Sequence, residues 1–290
     1  MNGGLEIRVK YINQNYDEER ALYDIEDAEI INCTFAGEAD GESALKECRR
    51  IKVESCLFEL RYPFWHVSGA EISNITMTET CRAALWYDDH VNIEKSTLHG
   101  IKALRECKNV TLSECDVDSA EFGWRCSDIT VKNTTVNSQY PFFECKNMQL
   151  SEFTLSGKYS FQYVENVEIR NSNLKTKDAF WHAKDVTVYD SVIEGEYLGW
   201  YSENLRLVRC HIKGTQPLCY CKNLILEDCT TEDCDLSFEN SEVRATVNGD
   251  IVSVKNPVSG FVKADSIGEI IWDEKHKKAS TCKIECAVKI

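Results

Sequence analysis

The chain has 290 residues, 43% of them hydrophobic, which is enough to bury a sizeable core and excludes a disordered chain. Its 33 Lys and Arg stand against 48 Asp and Glu, a net charge of −15 with no basic patch, and phosphate repulsion then excludes a nucleic-acid partner. Only 4 prolines and 14 glycines occur, so collagenous and linker-rich classes are excluded as well.

From the N-terminus, Met1 to Lys10 alternates charged and apolar residues where a signal peptide needs an apolar block. No stretch reaches the roughly 18 uncharged apolar residues of a membrane span. The expectation is a soluble, cytoplasmic protein without a membrane partner. Leu5, Ile7, Val9 and Tyr11 alternate as a capping strand, Asn13 to Arg20 reads as a loop, and a first partial turn completes 1–27.

Residues 28–242 repeat with a period of 19. Lys108-Asn-Val-Thr-Leu112, Lys146-Asn-Met-Gln-Leu150, Glu165-Asn-Val-Glu-Ile169, Glu203-Asn-Leu-Arg-Leu207 and Lys222-Asn-Leu-Ile-Leu226 are copies of one template. The register runs unbroken from Val91 to Val243, and earlier turns beginning near Ala28, Ile51 and Ala70 fit with insertions of two or four residues. One column (Ile93, Leu112, Val131, Leu150, Ile169, Val188, Leu207, Leu226) holds no polar residue, and polar residues precede it, so a half-buried strand is predicted there. A second inward column (Leu98, Val117, Val136, Leu155, Leu174, Ile193, Ile212) and a third (Leu85, Leu104, Phe142, Phe161, Phe180, Leu218) predict three short strands per turn. Stacked at about 4.8 Å, such turns pair with their own copies. The predicted fold is therefore all-β, a single-stranded right-handed parallel β-helix of eleven or twelve turns, forming a single domain over 1–290.

The Asn and Asp residues at 109, 128, 147, 166, 185, 204 and 223 precede the first strand and are expected to form stacked turn amides. Gly37, Gly100, Gly157, Gly195 and Gly214 recur at another corner. Over 243–290, Val243 to Val247, Asn248-Gly249 and Asp250 to Val254 read as a tight hairpin opening the C-terminal cap.

Of the 15 cysteines, Cys33, Cys56, Cys115, Cys210 and Cys229 share one column, and Cys48, Cys107, Cys126, Cys145 and Cys221 another. They are expected to be reduced core thiols. Cys219, Cys221, Cys229 and Cys234 resemble zinc ligands in spacing, but the repeat places them on different walls, so neither a metal nor a cofactor is expected.

One column collects five of the six tryptophans: Tyr23, Lys46, Trp65, Trp86, Arg105, Trp124, Phe143, Gln162, Trp181, Trp200, Cys219 and Phe238. The next is polar: Glu47, His66, Tyr87, Glu106, Arg125, Glu144, Tyr163, His182, Tyr201, Tyr220 and Glu239. Aromatic rings beside hydrogen-bonding groups suit an oligosaccharide. The candidate binding residues are Trp65, His66, Trp86, Tyr87, Trp124, Phe143, Trp181, His182, Trp200 and Tyr201. Glu106 and Glu144, two turns apart with Arg125 between them, are candidate acid, base and charge stabiliser of a glycan-processing enzyme. The same three are equally an ordinary cross-strand ion stack. His90, His99 and His211 stand alone, and Asp88-Asp89-His90 reads as a solvated acidic turn.

With these columns in place the chain resembles the pectate-lyase-like right-handed β-helix superfamily, and more closely a bacterial family known only as a domain of unknown function. The resemblance is carried by the Asn-Val-x-Leu turns, Pro63-Phe-Trp-His66, Ala179-Phe-Trp-His182, Ser253-Val-Lys-Asn-Pro257 and Ala264 to Ile271. It implies the fold. The Gly-His-Gly of polygalacturonases is missing, and Arg50-Ile-Lys52 precedes Asp88-Asp89, so the resemblance implies no particular reaction. Three functions fit the surface: a carbohydrate binder, a glycan-processing hydrolase or lyase, and a structural protein whose aromatic stripe joins the subunits of a homo-oligomer.

Overall fold

Two local features draw every turn: a short aliphatic strand, and a residue in the left-handed region where the chain bends. The computed structural model describes residues 8–37 and 42–289, the side chains of 287–289 excepted. Leu5 and Ile7 lie outside the described residues. The chain packs as two units, 1–138 and 139–290, each a parallel β-solenoid.

In the first unit the first wall is a run of parallel strands from Val9–Ile12 and Ala28–Ile31 to Lys108–Ser113 and Ser127–Lys132. Partners stand one period apart: Val91 faces Val110, and Val110 faces Ile129. The second unit repeats the rule, with Met148, Val167, Val186 and Leu205 in file. The inward columns are the core, with Leu112, Val188 and Leu207 fully buried. Each such side chain contributes about 1.5–3 kcal/mol on burial. Phe142, Phe161 and Phe180 stack at 5.3 and 5.1 Å between centroids, an aromatic spine inside the second unit.

The third wall differs between the units. In the first it is a small parallel sheet of Phe64–Trp65, Leu85–Trp86 and Leu104–Arg105. In the second, Tyr159, Phe161 and Tyr163 have φ of 48°, 57° and 56°, and Asp178, Phe180 and His182 repeat the pattern. The third strand expected of every turn is thus replaced by alternating left-handed residues. Their backbone groups still pair with adjacent turns: the Phe161 N–H donates to Pro141 and the Tyr163 N–H to Trp181. An inward Phe is delivered equally well by an extended or a left-handed residue, so the hydrophobic column does not distinguish the two.

The cysteine columns answer a hydrogen-bonding problem. Just past a left-handed corner, an N–H has no strand partner, and a small side chain one turn on accepts from it. Cys107 N–H donates to Cys126 Sγ, Cys115 N–H to Thr134 Oγ1, and Phe153 N–H to Ser172 Oγ. Each acceptor passes its own proton to the carbonyl two residues before it, as Ser172 does to Arg170 and Thr134 to Lys132. This is why Cys, Ser and Thr exchange in these columns. The column thiols Cys33, Cys48, Cys56, Cys107, Cys115, Cys210, Cys221 and Cys229 are buried and free, as expected, and burial pushes the thiols of Cys48, Cys81 and Cys219 up to about 12, so these three stay protonated and inert. No group of three or more metal-ligating side chains occurs among the described residues.

Three further sequence expectations are corrected. Glu242–Lys255 is one strand pairing in parallel with Ser259–Ile271, not a hairpin; Asn248-Gly249 marks a register shift, with Gly249 at φ 97°. The residue pair that makes a hairpin turn also makes a bend at a solenoid corner. Asn13 to Arg20 is not all loop, since Asn15–Tyr16 pairs with Thr34–Phe35. The histidines do have partners: His90 meets Asp89 at 2.9 Å, His99 meets Asp116 at 3.1 Å, and His211 meets Thr230 at 2.9 Å.

Candidate aromatic groove

The polar column follows the tryptophan column at a corner where each of its residues from Glu47 to Tyr220 is left-handed. His66, Tyr87, Glu106 and Arg125 in the first unit, and Glu144, Tyr163, His182, Tyr201 and Tyr220 in the second, have φ between 53° and 60°. That conformation costs a bulky L-residue about 1–2 kcal/mol. It turns the side chains outward: Tyr87, Tyr163 and Tyr201 are 43, 49 and 46% exposed.

In the second unit these side chains form a ladder. Tyr163 and His182 stack at 5.1 Å and 5°, His182 and Tyr201 at 5.1 Å and 8°, and Tyr201 and Tyr220 at 4.8 Å and 14°. The faces of His182 and Tyr201 are covered by their neighbours on both sides. What reaches solvent is a row of ring edges carrying phenol hydroxyls and imidazole nitrogens. Beside the row lies a groove of about 420 Å³ that Lys184, Glu203 and Lys222 also line. That volume is in the range of small-ligand clefts.

The tryptophans are half-buried and stack on one another rather than offering open platforms. Trp181 and Trp200 lie 5.6 Å apart at 4°, and their indole N–H groups donate to the carbonyls of Tyr197 and Gln216. Trp65 and Trp86 stack at 5.5 Å in the first unit, with the Lys46 ammonium 4.0 Å from the Trp65 ring. Arg105 lies between the rings of Trp86 and Trp124 at 6.0 and 5.7 Å. The column ends inside the second unit, where Cys219 and Phe238 are buried. Phe143 meets Tyr163 edge-on at 5.7 Å.

The first unit places the remaining candidates differently. His66 and Tyr87 lie 5.2 Å apart but tilted by 36°. The Glu106 carboxylate beside Tyr87 holds its phenol above the usual range. Arg105 contacts Glu106 at 3.3 Å, so the neighbour in sequence engages this carboxylate. Arg125 lies one turn on, and Glu144 belongs to the second unit.

Asp88 is a second correction of chemistry. It is buried, not a solvated turn residue, because an insertion of two residues moves it into the Cys column between Val67 and Cys107. Its Oδ1 accepts from the Val67 N–H at 2.7 Å and its Oδ2 has no partner. Burial raises its carboxyl well above the usual range, which favours the neutral acid.

A family model described as protein of unknown function (DUF3737) matches residues 9–285. The chain belongs to that family. No curated protein matches the sequence. Among solved structures it is similar to PfbA, a surface adhesin of Streptococcus pneumoniae, at 9% identity and a TM-score of 0.50, covering 83% of this chain and 84% of that one. A tailspike protein of E. coli bacteriophage HK620 in complex with a hexasaccharide is similar at 10% identity and a TM-score of 0.46, over 95% of this chain and 69% of that one. The A-module of an Azotobacter vinelandii mannuronan C-5 epimerase follows at 10% and 0.36, over 97% and 88%. The likeness to the adhesin shows the β-helix fold and nothing finer.

Tyr163 and Tyr220 stand in the polar column but outside the candidate binding residues of the sequence, and Lys184, Glu203 and Lys222 are outside both columns. Their signal is a 19-residue alternation of sign, Lys146, Glu165, Lys184, Glu203, Lys222, two positions after the polar column.

Proposed function

We propose that this DUF3737 protein binds an elongated carbohydrate along the second unit, in the groove beside Tyr163, His182, Tyr201 and Tyr220. The observation that supports the reading is the exposed ladder itself: hydrogen-bonding ring edges repeat every 4.8–5.1 Å, a spacing comparable to the advance per sugar of an extended glycan. Because the ring faces are consumed within the ladder, sugar hydroxyls meet phenol O–H and imidazole N groups edge-on. Trp181 and Trp200 act from behind as the rigid support that holds the ladder upright, with Phe143 against Tyr163. The first-unit residues Trp65, His66, Trp86, Tyr87 and Trp124 form a shorter, tilted patch of the same chemistry. PfbA carries the same fold in an adhesin, which accords with a binding role.

A glycan array probed with the full chain and with Tyr163→Phe/Tyr201→Phe tests the reading. Removing two hydroxyls and no ring should weaken any hit about tenfold, at about 0.5–1.5 kcal/mol per hydrogen bond. Hits of unchanged strength, or no glycan bound by the parent protein, count against the groove.

A further inference from the structure

The groove beside the aromatic ladder also carries charge in a pattern. Lys184, Glu203 and Lys222 occupy one column on consecutive turns, with Lys184 paired in register to Glu203 and Glu203 bridged to Lys222. All three side chains are exposed, all line the groove, and among the described residues none makes an ion pair with its neighbour. Elsewhere in this unit the same alternation closes into contacts: Lys146 with Glu165 at 2.8 Å and Lys177 with Glu196 at 2.9 Å. Beside the ladder these charges stand open.

We infer that the groove takes a glycan bearing one carboxylate on every second sugar. The inference rests on the carbohydrate reading above and adds the ligand's charge pattern. Lys184 and Lys222 are two turns apart, about 9.6 Å at the parallel-strand rise, which is about the length of a two-sugar repeat in an extended chain. A carboxylate on alternate sugars meets both ammonium groups, and the intervening neutral sugar, with an amide or hydroxyl donor, meets Glu203. A glycan charged on every sugar drives one carboxylate against Glu203, in a chain whose net charge of −15 already disfavours polyanions. A neutral glycan leaves both lysines unused.

Isothermal titration of the full chain separates these cases, using hyaluronan oligosaccharides (alternate carboxylates), oligogalacturonate (a carboxylate on each sugar) and chito-oligosaccharides (none), all of matched length. Hyaluronan should bind tightest, and Lys184→Gln/Lys222→Gln should bring it down to the affinity of the neutral chain, about fivefold per lysine for exposed pairs. Glu203→Gln should strengthen the binding of oligogalacturonate but not that of chito-oligosaccharides, whose donors lose a carboxylate acceptor. All three side chains are exposed, so the variants are expected to fold, and matching circular dichroism confirms it. Equal affinity for hyaluronan and the neutral chain, unmoved by the lysine substitutions, overturns the charge pattern while leaving the carbohydrate reading intact. Tighter binding of oligogalacturonate overturns it too. Binding of none of the three removes both.

Discussion

Asp88 stands where its column elsewhere carries Val67, Cys107 and Cys126, and it does half of what those thiols do. Its Oδ1 accepts from the Val67 N–H as Cys126 Sγ accepts from Cys107. Its Oδ2 is left buried without a partner. An ionised carboxylate there is far costlier than a neutral acid. The folded carboxyl therefore keeps its proton above the pH at which the unfolded chain releases it. The stabilising difference is complete below about pH 4, where both states are protonated, and declines as the pH rises toward the folded value. Asp88→Asn keeps the acceptor for Val67 and cannot titrate. Its melting temperature relative to the parent should rise steadily between pH 5 and 9, by thermal unfolding in matched buffers. A difference that stays constant with pH means that Asp88 is ionised in the fold.

Within an element, stability comes from identical residues facing each other across turns, and the asparagine corner shows how. Asn204 Nδ2 donates to Asp185 Oδ1 at 2.7 Å, while Asn204 Oδ1 accepts from Asn223 at 2.8 Å. Its φ is 57°. Asn204→Ala loses two amide hydrogen bonds and puts a residue poorly suited to the left-handed region at the corner, a cost of about 2 kcal/mol. Asn204→Gly loses the same bonds without the backbone cost, about 1 kcal/mol. Urea unfolding of the two variants separates the contributions, and equal losses mean that conformation does not matter at this corner. This ladder, like the aliphatic columns, was legible in the sequence, because Asn and Asp reveal a left-handed bend through their own side-chain chemistry. The neighbouring corner was not. Tyr163, His182 and Tyr201 adopt the same φ with side chains that carry no such signal, held there by their stacked neighbours and by N–H bonds to the next turn. Asp88 escaped notice for a related reason: its charge argued for solvent, while its place in the column argued for the core, and the column decides.

Across the whole molecule the charge balance opposes the Asp88 effect at the acid end. Glu26, Asp27, Glu29, Glu165, Asp190 and Glu232 are all held below the usual carboxylate range, first by hydrogen bonds from Arg49, Arg50, Lys10, Lys146, Arg209 and Lys213. Their contribution is present above about pH 4 and is lost as the pH falls toward the lowered values. Over the same interval the excess of carboxylates is neutralised and the 33 Lys and Arg take over, so repulsion also turns against the fold. All six carboxylates are at the surface, where roughly 1 M salt shortens the Debye length to about 3 Å. Asp88 is buried and beyond such screening. Thermal unfolding from pH 2 to 9 should therefore show an acid limb that shrinks in 1 M NaCl, and an alkaline decline that salt leaves in place and Asp88→Asn removes. If the acid limb persists at high salt, the surface pairs are not its source, and the buried hydrogen-bonded corners become the next place to look.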